Sequence, residues 1–241
     1  MTEPLQRPAA PREHGAWGIL LVPFATAAGV AGVFDVKLAL LLASVLLFMF
    51  ARASFLAKRW QWAALLVGLS VVCAGPLVLV WKLWWLAVFG TVGAALALRP
   101  TRRDSAAQLL AVCGLTLTAP AAWYVAMGAL DATAWWLWCW NALYFIGGWL
   151  YVRMRIAPVA ARQELRWPVI GFFCGLMLFV LALAWANVVS YTLLLAFTPA
   201  VTRAVLGVGR LAEPLRIKRL GWSEVALSVA FGALLVWVMR S

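Results

Sequence analysis

One run of residues in this sequence has the spacing of a functional face. Asn141, Tyr144, Gly148, Tyr151 and Arg155 recur at intervals of three and four, the period that sets side chains on one side of an α-helix. Amide and hydroxyl groups open that face and a guanidinium closes it. A second run, Ser44, Phe48, Arg52, Phe55 and Arg59, has the same period and also ends in positive charge. A third, Thr198 and Thr202, leads into Arg203. Arg carries a planar fork of donors that matches phosphate or carboxylate. Three such faces, turned inward and converging at one end, would enclose a cavity with a basic mouth. Arg102 and Arg103 belong to the same end, as do Glu13 and His14, the one histidine of the chain. An amphiphile with an anionic head and an apolar tail would fill both halves of such a site.

The elements that must hold these faces follow from composition. The chain has 241 residues, 66% hydrophobic and 12% charged, with a mean hydropathy of +0.96. That leaves too little polar surface to cover a water-soluble core, so a soluble enzyme, a disordered chain and a secreted disulfide scaffold are excluded. A bilayer core needs roughly 20 apolar residues per helix. The sequence divides into about nine such spans, at 15–34, 36–57, 61–81, 83–98, 106–129, 133–153, 168–186, 189–206 and 223–240. The spans are continuously apolar rather than alternating, so they are read as helices and not as barrel strands. The expected fold is therefore an all-α integral membrane protein. It has a short arm, 1–14, and one polytopic domain, 15–241, without internal repeats.

The net charge of +12 is explained by its distribution and needs no nucleic acid. With the N-terminus in the cytoplasm, all but Lys37, Lys82 and Arg240 of the 20 Lys and Arg residues fall on the cytoplasmic side. That asymmetry is the positive-inside rule. An odd number of spans then puts the C-terminus outside the cytoplasm. Trp60, Trp62, Trp81, Trp84, Trp85, Trp135, Trp136, Trp167, Trp185, Trp222 and Trp237 lie near span ends, where amphipathic rings sit at headgroup depth. Removing the first span as a signal peptide would leave eight, and it is read as retained.

Other features read as packing. Cys73, Cys113, Cys139 and Cys174 lie within spans with no CxxC pair, as small apolar residues do. Gly171 and Gly175 form a GxxxG pair, read as a close helix contact. Pro23, Pro76, Pro120 and Pro199 fall inside spans, and the kinks they impose suit a central cavity. The two longest inner loops are 153–167 and 207–222. No Asp, Glu or Lys is placed deep in a span, which argues against ion coupling. Taken singly, Asn, Ser and Thr also have a plainer use as interhelical hydrogen-bonding groups, and Arg as a snorkelling side chain.

The segment Arg12-Glu13-His14-Gly15-Ala16-Trp17, followed by an apolar run and Pro23, resembles the opening of the YwiC-like family. That resemblance implies a bacterial inner-membrane protein and brings no settled activity. A more distant similarity is to UbiA-type intramembrane prenyltransferases, nine-helix bundles with cytoplasmic catalytic loops. It rests on Arg12, Gly15, Leu20, Leu21 and Pro23 in the first span, and on Pro100, Arg102, Arg103, Ser105 and Gln108 after the fourth. Those enzymes hold Mg²⁺ with Asp-rich motifs at the ends of helices two and six. Here these ends read Arg52-Ala-Ser-Phe-Leu-Ala-Lys-Arg59 and Tyr151-Val-Arg-Met-Arg155, without a carboxylate. Mg²⁺ requires oxygen ligands, so ordinary Mg²⁺-dependent prenyl transfer is disfavoured.

The sequence thus leads to an expectation of a membrane protein that binds an anionic or isoprenoid-type lipid, with no cofactor and no metal. It would be a metal-independent or inactive relative of the UbiA type. A secondary transporter or permease, and a non-catalytic membrane assembly partner, are the alternatives.

Overall fold

Backbone groups that cross a bilayer must be paired within the chain, and every described span is helical. The computed structural model describes residues 14–97, 105–211 and 217–241. The helices are α1 (His14–Ala31), α2 (Val36–Leu56), α3 (Trp60–Leu79), α4 (Trp85–Ala97), α5 (Ser105–Leu115), α6 (Thr118–Met127), α7 (Ala132–Ile156), α8 (Val159–Trp185), α9 (Leu193–Gly209) and α10 (Ile217–Arg240). Five stretches are long and apolar enough to cross a membrane, one of them α5 and α6 together, and three shorter helices are apolar. The chain is thus an all-α, multi-pass membrane protein, with helices at the nine positions expected.

Local chemistry sets the helix ends. Asp35 caps α2 by accepting from the amides of Lys37 and Leu38, and Asp131 caps α7 by accepting from Ala134. Such caps satisfy first-turn donors that have no intrahelical partner. Gly128 ends α6 in the left-handed conformation, φ 75°.

The fifth span is broken at Thr116 and Leu117. Pro120 has no N–H for the Thr116 carbonyl, which accepts from Ala119 instead. Leu117 turns its amide to Gly114. The Cys113 carbonyl is then taken by the Trp138 indole at 3.1 Å and the Thr116 hydroxyl at 3.0 Å. Thr118 bridges to the Leu20 carbonyl of α1 at 3.0 Å. The break is therefore hydrogen-bonded by its neighbours, as bilayer depth requires.

Two sequence boundaries move. The polar stretch 153–167 is not a loop: α7 runs on to Ile156 and α8 starts at Val159, directly after Pro158. Its Ala, Arg, Gln, Glu and Leu are good helix formers, and a helix need not stop where its apolar stretch does. Likewise α10 begins at Ile217, six residues before the expected span.

α1 and α7 lie at the centre. α1 packs on α6, α7 and α10, and α7 on α6, α8 and α9. Trp140, Tyr144, Phe197, Phe231 and Leu137 are fully buried there. The α2–α3 hairpin stands to one side: 17% of the α3 apolar window is buried, against 56% of α5–α6. Of the belt tryptophans, Trp60, Trp84 and Trp185 are exposed at or beside helix ends, and Trp167 and Trp222 are exposed inside α8 and α10.

Candidate functional site

The α7 face expected from its spacing exists, and each level has a different partner. At the top, Asn141 donates to the Thr26 hydroxyl of α1 at 3.0 Å and to the Leu137 carbonyl at 2.8 Å. This is interhelical bonding. One turn on, Tyr144 stacks on Phe231 of α10, ring centres 4.0 Å apart. Further down, Tyr151 lies beneath the guanidinium of Arg203 from α9, 4.6 Å from ring centre to Cζ. At the bottom Arg155 donates to the Arg210 carbonyl at 2.6 Å, at the C-terminal end of α9. A cation there meets the negative end of the helix dipole. Arg162 does the same for Leu211 at 2.8 Å.

Between these levels is an ion pair, its Arg buried and its Glu partly so, that the sequence reading missed. Glu224, about two turns into α10, pairs with Arg203 through Oε2 and Nη1. Glu224 lies near the start of the apolar stretch Leu220–Arg240, so a search for acids deep in a span passes over it. It was overlooked because it comes so near the end of its span in sequence. The signal available was a single acid entering one apolar helix and a single Arg leaving the preceding one.

The site is under-filled with hydrogen bonds. Arg203 is 8% exposed, yet its Nε and Nη2 have no partner. Glu224 Oε1 and the Tyr144 hydroxyl also have none. A buried polar atom without a partner costs about 1–3 kcal/mol, more if charged. Gly148 forms the adjoining wall: a Cβ there would lie 3.8 Å from Glu224 Oε2 and 3.9 Å from Arg203 Nη2. Gly207 is required on the other side, because a Cβ would collide with the Tyr151 ring.

The remaining candidates are distributed unevenly. Thr198 and Thr202 are exposed, so that face of α9 does not turn inward as expected. Arg203, one residue on, is rotated by about 100° and is buried. On α2, Ser44 bonds to Ser70 of α3 at 3.0 Å, whereas Phe55 is exposed and packs edge-on against Trp60. Arg52 and Arg59 are half-buried. Because α2 packs chiefly on α3 and α6, they approach from a different side than Arg203. Glu13, Arg102 and Arg103 lie outside the described residues. Ser105 and Gln108, just beyond them, bond to Arg153 and Trp149 of α7 at 2.7 and 2.9 Å.

His14 opens α1, four residues before Gly18. A Cβ on Gly18 would lie 4.0 Å from Ser228 of α10, and Glu224 is four residues before Ser228. Register therefore sets His14 and Glu224 at the same level of two adjacent helices.

Elsewhere, Gly171 and Gly175 have no neighbour within 4 Å of a built Cβ, so they do not form the expected contact within the chain. A small cavity of about 140 Å³ lies at the other end of the bundle, lined by Trp136, Trp140, Val188, Ser190, Leu193 and Val238. Among the described residues no group of three or more His, Cys, Asp and Glu comes together.

No curated protein and no solved structure matches this chain. The family model that does match covers residues 10–123, from the arm into α6, and is described as YwiC-like protein. Over that stretch, just under half of its length, this membrane protein is similar to the YwiC-like family.

Proposed function

We propose that this protein binds an anionic amphiphile within the membrane, its head at Arg203 between α7, α9 and α10. The observation that carries this reading is the buried Arg203, whose Nε and Nη2 remain without partners after the pairing with Glu224. A phosphate or carboxylate oxygen is the complement of those donors, and an acyl or isoprenoid tail is the complement of the apolar helices around them. Arg52 and Arg59, half-buried on α2, add to the positive charge that would draw an anionic head to the protein.

A UbiA-type arrangement of the helices is proposed here as architecture only. Binding at Arg203 uses charge and hydrogen bonds, and the proposal includes no prenyl transfer. The charge asymmetry supports an N-terminus in the cytoplasm of a bacterial cell. Tags on the two termini should then be accessible from opposite faces; accessibility from one face would overturn that orientation.

The test is mass spectrometry of lipids retained by the purified full-length chain. Anionic lipids should be enriched at least tenfold over neutral ones, and Arg203→Gln should remove the enrichment. A chain that keeps no anionic lipid, or an Arg203→Gln variant that keeps it unchanged, overturns the proposal.

A second reading, a permease, is favoured by two separate features, the α5–α6 break and the Arg203–Glu224 pair, since interrupted helices and paired charges accompany permeation paths. Flux of an anion into proteoliposomes, absent in Arg203→Gln, would support it over static binding.

A further inference from the structure

Two kinds of unpaired atom meet in the α7–α9–α10 site, and they ask for opposite partners. Arg203 Nε and Nη2 are donors in need of an acceptor. Glu224 Oε1 is an acceptor in need of a donor. Both residues belong to one ion pair, so the two needs lie within one head group's reach. A simple anion would satisfy Arg203 and leave Glu224 Oε1 bare, with two negative groups facing each other in an apolar bundle. That arrangement is costly.

We infer that the ligand's head carries a hydrogen-bond donor beside its anionic group, as a phosphoester bearing a neighbouring hydroxyl does. The phosphoester oxygen accepts from the free nitrogens of Arg203, and the hydroxyl donates to Glu224 Oε1. Tyr144, whose hydroxyl is also unpartnered, closes the site from α7. Gly148 leaves the wall beside the pair without a side chain. The selectivity comes from Glu224: it repels an anion that brings no donor and holds one that does. A site built to bond a hydroxyl rejects the analogue that lacks it, because its own polar group is left unpaired.

This inference rests on the anionic-amphiphile reading, and the experiment separates the two. Purified full-length protein is titrated with phosphatidylglycerol, with phosphatidylmethanol, and with phosphatidylcholine, and bound lipid is counted by native mass spectrometry. The glycerol head carries hydroxyls; the methyl ester has the same charge and none. Phosphatidylglycerol should bind at least about tenfold more tightly than phosphatidylmethanol, the size expected for one hydrogen bond to a charged group. Glu224→Leu should bring the two anionic lipids within about twofold of each other. Equal binding of both by the unaltered protein overturns the inference while leaving anion binding intact. Binding of neither above phosphatidylcholine overturns both readings. Glycerol 3-phosphate is added as a soluble competitor. Displacement of phosphatidylglycerol by it would support the same head chemistry with a water-borne ligand, and failure to displace supports the lipid.

Discussion

The α2–α3 hairpin and the α7–α9–α10 group use polar residues in opposite ways. In the hairpin, Ser44 and Ser70 bond to each other at 3.0 Å, and the Ser70 hydroxyl also reaches the Ser44 carbonyl at 2.8 Å. These two serines meet within the hairpin, whereas the buried Ser54 hydroxyl of α2 has no partner, and much of α3 is left to face lipid. In the other group, Arg203 and Glu224 are paired but not satisfied, and the Tyr144 hydroxyl beside them is unpartnered. The first pattern fastens two helices. The second costs stability, as polar groups at an intramembrane site do. The hairpin falls within residues 10–123, the stretch similar to the YwiC-like family, and the ion pair falls beyond it.

The contrast can be broken most directly at the ion pair. Arg203→Leu should strand Glu224 and cost about 3–5 kcal/mol, read as a large fall in melting temperature in detergent, together with loss of retained anionic lipid. Replacing both Arg203 and Glu224 with Leu should restore most of the stability, since exchanging a buried pair for apolar residues is often neutral. It should not restore the lipid. A double variant that recovers both would make the pair a fastener like the serines.

A smaller effect is expected at Gly207→Val. The added side chain meets the Tyr151 ring, and overpacking of this kind costs about 1–3 kcal/mol. Because Tyr151 supports the Arg203 guanidinium, lipid retention should fall too. Asn141→Leu removes the bond to Thr26 and should cost roughly 0.6–2 kcal/mol, with lipid retention unchanged. Reduced retention there would extend the site upward to include α1. Ser70→Ala should cost the least, about 0.6 kcal/mol, again without effect on lipid.

Much of the site's frame was legible in the residues. The interval of three and four on α7 correctly grouped Tyr144, Gly148 and Tyr151, because a helix has one period and apolar spans allow no other structure. The same reasoning misplaced Thr198 and Thr202. Two residues four apart define a line on a helix but not the direction it faces, and these two face outward while Arg203 turns in. Pro120 marked a disturbance in the fifth span. That it separates α5 from α6, with Trp138 taking the freed Cys113 carbonyl, depends on a helix that follows later in the chain.

Sequence alone determined that this is a helical membrane protein and roughly where its apolar helices lie along the chain. Hydropathy and charge are properties of each segment by itself, and the bilayer reads them one segment at a time. Only the tertiary structure decided which of its cations is buried and what it meets. Arg203 and Glu224 lie on separate helices, and nothing in either segment states their distance. Their pairing follows from how α9 packs against both α7 and α10, and packing is a property of the whole bundle.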